Sequence, residues 1–170
     1  MKIIWLILIS ILAVALQLTV FSKMAVLGAG PNLILAGVLA YAIFKEEQKG
    51  GWLILIPAFI LDFLVGRPFG ILTLSLWLMF FLIDWLAKVL FKKSDLPAVF
   101  ILVFLGVLFF EFCFLLLSQM AAIFHLSQKL SLSGFYFYAT LPLNIIYNGL
   151  FCLFFIWLFN KSRIFLSRRF

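Results

Sequence analysis

Charged and polar residues fall in short clusters along this chain, separated by long uncharged runs. The first run follows Lys2 and stays uncharged until Lys23. The next uncharged stretch is interrupted by Gly28, Gly30 and Pro31 and closes at Lys45-Glu46-Glu47-Gln48-Lys49. A third run opens near Trp52, contains Pro57 and Asp62, and ends in Gly66-Arg67-Pro68-Phe69-Gly70. The fourth run gives way to Phe91-Lys92-Lys93-Ser94-Asp95, the fifth begins at Pro97, and the sixth follows a polar stretch from Ser127 to Gly134. A spanning helix takes about 20 apolar residues to cross a hydrocarbon core of roughly 30 Å. The pattern therefore predicts an all-α, polytopic membrane helix bundle with six transmembrane helices, at about 3–22, 25–44, 52–66, 69–90, 97–124 and 138–159. With a basic tail at 161–170, the chain reads as a single integral membrane domain, 1–170. Pro31 and Pro97 suit the opening turns of their helices, whereas Pro57 predicts a kink.

Composition agrees with the pattern and excludes a soluble catalytic domain. Of 170 residues, 67% are apolar and 11% charged, with a mean hydropathy of +1.29, whereas soluble domains run near half apolar and a quarter charged. The net charge of +7 would suggest nucleic acid in a soluble protein, but its placement points elsewhere. With six spans and a cytoplasmic N-terminus, ten basic residues fall on one side, and only Lys23, Arg67 and Lys129 fall opposite. That asymmetry follows the positive-inside rule, so both termini are expected in the cytoplasm, with the basic loops facing anionic lipid and no nucleic acid partner. Cys113 and Cys152 lie in apolar stretches and read as small buried hydrophobes, and His125 stands alone, so no metal or cofactor is expected. The first run stays apolar past Ala13-Val14-Ala15, which favours a span over a cleaved signal peptide.

Ionisable and amide side chains inside the spans mark either a site or a structural pair. Asp84 and Lys88 are four apart and share a helical face, which predicts a local ion pair. Asp62 can pair with Arg67 across the following turn, or accept from backbone N–H groups around Gly66 and Gly70. Glu111 lies near the middle of the fifth span with no basic residue at its depth. Asn144 and Asn148 share a face of the sixth span and match Gln17 and Ser118 in depth. Gln17, Glu111, Ser118, Asn144 and Asn148 are thus expected to form a polar cluster, as interhelical glue or as the lining of a cavity.

The segments Pro31-Asn32-Leu33-Ile34-Leu35 and GGWLILIPAFILDFLVGRPFG, together with the chain length and basic inner loops, resemble the MreD family of bacterial rod shape-determining proteins. The detailed resemblance covers about 3–90, with Pro31 as the helix-opening residue and Asp62, Gly66, Arg67, Pro68 and Gly70 as the outer-turn motif. It implies a non-enzymatic component of the cell-wall elongation complex in the bacterial inner membrane. The implied partners are an MreC-like bitopic protein and, more distantly, MreB filaments, a RodA-type glycosyltransferase and a class B penicillin-binding protein. The family is also similar in plan to the substrate-binding subunits of energy-coupling-factor transporters. That likeness implies an alternative, a small-molecule (vitamin-type) binding or transport subunit with a cavity in the outer half of the bundle.

Overall fold

Each uncharged run is helical over at least part of its length in the computed structural model, which describes residues 2–44, 55–65, 70–90, 96–125 and 136–167. Among the described residues there are six α-helices and no strand: α1 (Lys2–Thr19), α2 (Leu33–Phe44), α3 (Ile56–Val65), α4 (Ile71–Leu90), α5 (Leu96–Ile123) and α6 (Leu141–Ser167). Among the described residues, four segments are long and apolar enough to cross a membrane: Ile7–Met24, Ile71–Val89, Pro97–Ile123 and Tyr138–Leu158. The charged loop at 45–49, Trp52, Gly66, Arg67, Pro68, the cluster at 91–95 and the polar stretch at 127–134 lie outside the described residues.

Three expectations change. The stretch expected to span 25–44 is helical only from Leu33, because Gly28, Gly30 and Pro31 leave the preceding backbone unable to continue a regular helix. Pro57 is the second residue of α3 and stands in its first turn. A missing N–H has no intrahelical partner to lose there, so this proline opens the helix instead of kinking it. The basic segment expected as a tail continues α6 as far as Ser167.

The central element is α2, which packs against α1, α4, α5 and α6. Its twelve residues are apolar on every side, and Ile34, Leu35, Ala36, Val38, Leu39, Ala40 and Ala42 are all buried, as suits a helix enclosed by others. Leu35 and Leu39 meet a layer that includes Leu76, Met79 and Ile83 of α4, Leu102 and Val107 of α5, and Cys152 of α6. Tyr41 stacks on Phe80 with ring centroids 6.4 Å apart. The outward faces are apolar too: Phe63, Phe112, Ile123 and Leu150 are exposed, an arrangement that only lipid or another apolar surface can cover.

Close approach at the centre depends on Gly106 of α5. A Cβ there would come within 2.5 Å of Leu39 Cδ1 and 3.3 Å of Ile83 Cγ1. We therefore expect Gly106→Ala to destabilise the protein by about 1–3 kcal/mol through overpacking, measured by thermal unfolding in detergent. Adding Leu39→Val, which withdraws the clashing methyls, should recover part of the loss; strict additivity of the two changes would refute this contact.

Candidate functional site

The residues between α1 and α2 form neither helix nor sheet. After a single 3-10 turn, Phe21–Met24, Val26 and Ala29 exchange both backbone hydrogen bonds, at 2.7 and 2.9 Å. Between them, Leu27 and Gly28 have φ of 53° and 79°, as a two-residue type I′ turn requires. Five further backbone groups, from Leu27 to Leu33, are met by side chains from other elements. Thr140 Oγ1 donates to the Leu27 carbonyl at 3.0 Å. The Gly30 N–H donates to Asn144 Oδ1 at 3.3 Å, and the Asn32 N–H to Asn148 Oδ1 at 2.7 Å. From α1, Gln17 donates through Nε2 to the Pro31 carbonyl at 3.1 Å and accepts the Leu33 N–H on Oε1 at 2.7 Å. Asn32 Oδ1 caps α2 by accepting the Leu35 N–H at 3.0 Å. Gln17, Asn144 and Asn148 all belong to apolar segments of membrane-spanning length. The irregular backbone they hold is thus tied to those segments, and any part of it that meets hydrocarbon takes its hydrogen bonds from the protein.

Glu111 joins this network from α5. Its Oε1 accepts from Asn144 Nδ2 at 3.0 Å and its Oε2 from the Tyr136 hydroxyl at 2.8 Å. Tyr136 begins a π-helical turn, Tyr136–Thr140, that leads into α6. Burial, and then the Glu111 carboxylate, push the Tyr136 phenol above its ordinary pKa, which keeps it a hydrogen-bond donor. Asn148 Nδ2 donates to the Asn144 carbonyl at 2.9 Å, which links the two amides along α6. Beside these groups lies a cavity of about 350 Å³, lined by Gln17, Asn32, Glu111, Tyr136, Asn144 and Asn148 with an aromatic wall that includes Phe110 and Phe114.

Of the five residues expected to cluster, the structure brings Gln17, Glu111, Asn144 and Asn148 together. Ser118 is buried farther along α5 and does not line the cavity. Tyr136 and Thr140 join the cluster without having been singled out in the sequence. Thr140, Asn144 and Asn148 recur every four residues, a polar stripe that would have pointed to Thr140. Tyr136 carries no comparable signal.

Asp62 sits in a second arrangement. Its Oδ1 accepts the Leu72 N–H at 3.2 Å, and its Oδ2 accepts the Thr73 N–H at 2.8 Å and the Thr73 hydroxyl at 2.6 Å. Those two N–H groups are the ones that an N-cap side chain ordinarily satisfies. The residue before α4 is Gly70, with φ of 95° and no side chain to offer. Asp62 of α3 thus caps α4 from a neighbouring helix and fixes the α3–α4 corner. Asp84 Oδ2 lies 2.6 Å from Lys88 Nζ, one turn along the same helix. Cys113 and Cys152 are buried free thiols, and no group of three or more His, Cys, Asp or Glu side chains that could hold a metal occurs among the described residues.

The model of one protein family, described as rod shape-determining protein MreD, matches residues 1–162 of the chain. No curated protein and no solved structure matches it.

Replacing Gln17 with Leu leaves the Leu33 N–H and the Pro31 carbonyl without partners, at a cost of about 1–3 kcal/mol for each buried group. Hydrogen exchange over residues 25–35 should rise in Gln17→Leu while α4 stays protected, and Gln17→Glu, which restores only the acceptor, should fall between. Unchanged exchange in Gln17→Leu would show that α1 does not hold this segment.

Proposed function

The chain belongs to the MreD family of rod shape-determining membrane proteins, and from that premise we propose that it is a non-enzymatic, multi-pass component of the bacterial cell-wall elongation complex. It resides in the inner membrane with both termini in the cytoplasm, docks an MreC-like bitopic protein, and helps organise peptidoglycan synthesis. MreB filaments, a RodA-type glycosyltransferase and a class B penicillin-binding protein belong to the same assembly. The ten-to-three distribution of basic residues supports this orientation.

The observation that carries the docking role is the α3–α4 corner. Asp62 locks the first turn of α4 from α3, and a Cβ at Gly70 would meet nothing within 4 Å among the described residues, which leaves the start of α4 held in place and open to another chain. Phe59, Phe63 and Leu64 of α3 are exposed beside it. These apolar side chains suit the single membrane helix of a bitopic partner. A second reading, a small-molecule binding or transport subunit, is favoured by the cavity beside Glu111.

With the MreC-like partner tagged and co-expressed, Asp62→Ala should lower the amount of this protein recovered with it severalfold at an unchanged level in the membrane. Recovery equal to that of wild type would overturn the role given to the corner.

A further inference from the structure

Most polar groups around the cavity have an evident structural task. The oxygens of Gln17, Asn144 and Asn148 each accept a backbone N–H of residues 30–33. Among the described residues Glu111 accepts from Tyr136 and Asn144 and from no backbone group, and it is 7% exposed. A carboxylate has about four lone-pair sites, so each Glu111 oxygen keeps one beyond the bond described. Among the described residues, no Lys, Arg or His lines the cavity.

We propose that this cavity binds a primary ammonium group, carried by an aminophospholipid headgroup or by a free amine, with Glu111 as its anionic partner. The proposal rests on the second reading above, that the cavity is a ligand site, and is independent of partner docking. Four features select this chemistry. Glu111 repels an anionic ligand and would stay unpaired beside an apolar one. A metal ion of the calcium class needs six to eight oxygens, whereas the three clamping amide oxygens are already engaged, and Glu111 remains. Phe110 and Phe114 supply the aromatic surface that attracts organic cations. Glu111 accepts hydrogen bonds, which a primary ammonium donates and a quaternary one cannot.

Size and position agree. At about 350 Å³ the cavity is near the lower end of small-molecule sites and fits a headgroup. The lining residues come largely from apolar segments of spanning length, so a ligand can arrive from the bilayer. Lys23 is exposed and follows the lining residue Ser22 in the same 3-10 turn, which puts a cation one residue from the lining.

The test uses the full chain in nanodiscs containing equal phosphatidylethanolamine and phosphatidylcholine, with native mass spectrometry of the lipids retained on gentle release. Wild type should enrich phosphatidylethanolamine about tenfold, as one charge-assisted hydrogen bond implies. Glu111→Gln should return the ratio to that of the bilayer. Leu115→Trp fills the cavity without touching its hydrogen bonds, and should expel the lipid; it decides the matter if Glu111→Gln does not fold. In nanodiscs lacking phosphatidylethanolamine, a rise in melting temperature with ethanolamine, absent in Glu111→Gln, would identify a free amine as the source. Retention by wild type at the bilayer ratio with no response to ethanolamine, or an enrichment unchanged by Glu111→Gln, overturns the proposal. If a lipid without this preference is still expelled by Leu115→Trp, the cavity is a ligand site of other chemistry. If Leu115→Trp changes nothing retained, the cavity reading itself fails.

Discussion

Backbone that is neither helix nor sheet cannot face hydrocarbon, because every unpaired N–H or carbonyl there costs several kcal/mol. The turn at residues 25–32 therefore exists only because other elements satisfy it. Val26 and Ala29 bond each other, Thr140, Asn144 and Asn148 serve it from one side, and Gln17 from the other. The helix that follows is only twelve residues long, about 18 Å at 1.5 Å per residue. Its place at the centre of the bundle is set by the same bonds, since Gln17 and Asn32 fix its first turn. Leu39 and the rest of the core pack around a helix whose entry has been fixed by side chains of α1 and α6.

That Gln17, Glu111, Asn144 and Asn148 come together was readable in the sequence, but the targets of the three amides were not. Gln17, Asn144 and Asn148 stand out in uncharged runs, and the spacing of the two asparagines places them on one face. Their targets are main-chain N–H and carbonyl groups of residues 27–33, which leave no trace in residue identity. Asp62 illustrates the same limit. Its carboxylate is expected to pair with Arg67 or to accept N–H groups around Gly66 and Gly70; Gly66 and Arg67 lie outside the described residues, and the groups it takes are the N–H groups of Leu72 and Thr73, just past Gly70. The clue was the absence of a side chain at Gly70, which leaves α4 without a cap of its own.

Segment lengths were readable where a helix is long and regular. The apolar run near 97–124 became α5, Leu96–Ile123, with Pro97 in its opening turn. They failed where glycine and proline cluster. Hydropathy alone cannot distinguish a membrane helix from an apolar turn at the same depth, because both are uncharged. The type I′ turn at Leu27-Gly28 puts a leucine in the left-handed region, which no propensity favours. The surrounding bonds from Thr140 and Asn144 outweigh that local preference.

Interhelical glue and cavity lining are not exclusive roles for these side chains. An amide has two donors as well as a carbonyl oxygen, so Asn144 and Gln17 can hold the backbone with one group and still present an N–H elsewhere. Glu111 differs from them. Removing its carboxylate would leave the bonds to residues 27–33 in place, since those come from Thr140, Asn144, Asn148 and Gln17. What Glu111 contributes structurally is the orientation of Asn144, a task that a neutral acceptor such as Ser or Gln could perform without burying an acid. A buried acid whose structural contribution is replaceable is the kind of residue that points to a functional site in a membrane helix, and that is why Glu111 rather than its amide neighbours carries the ammonium proposal.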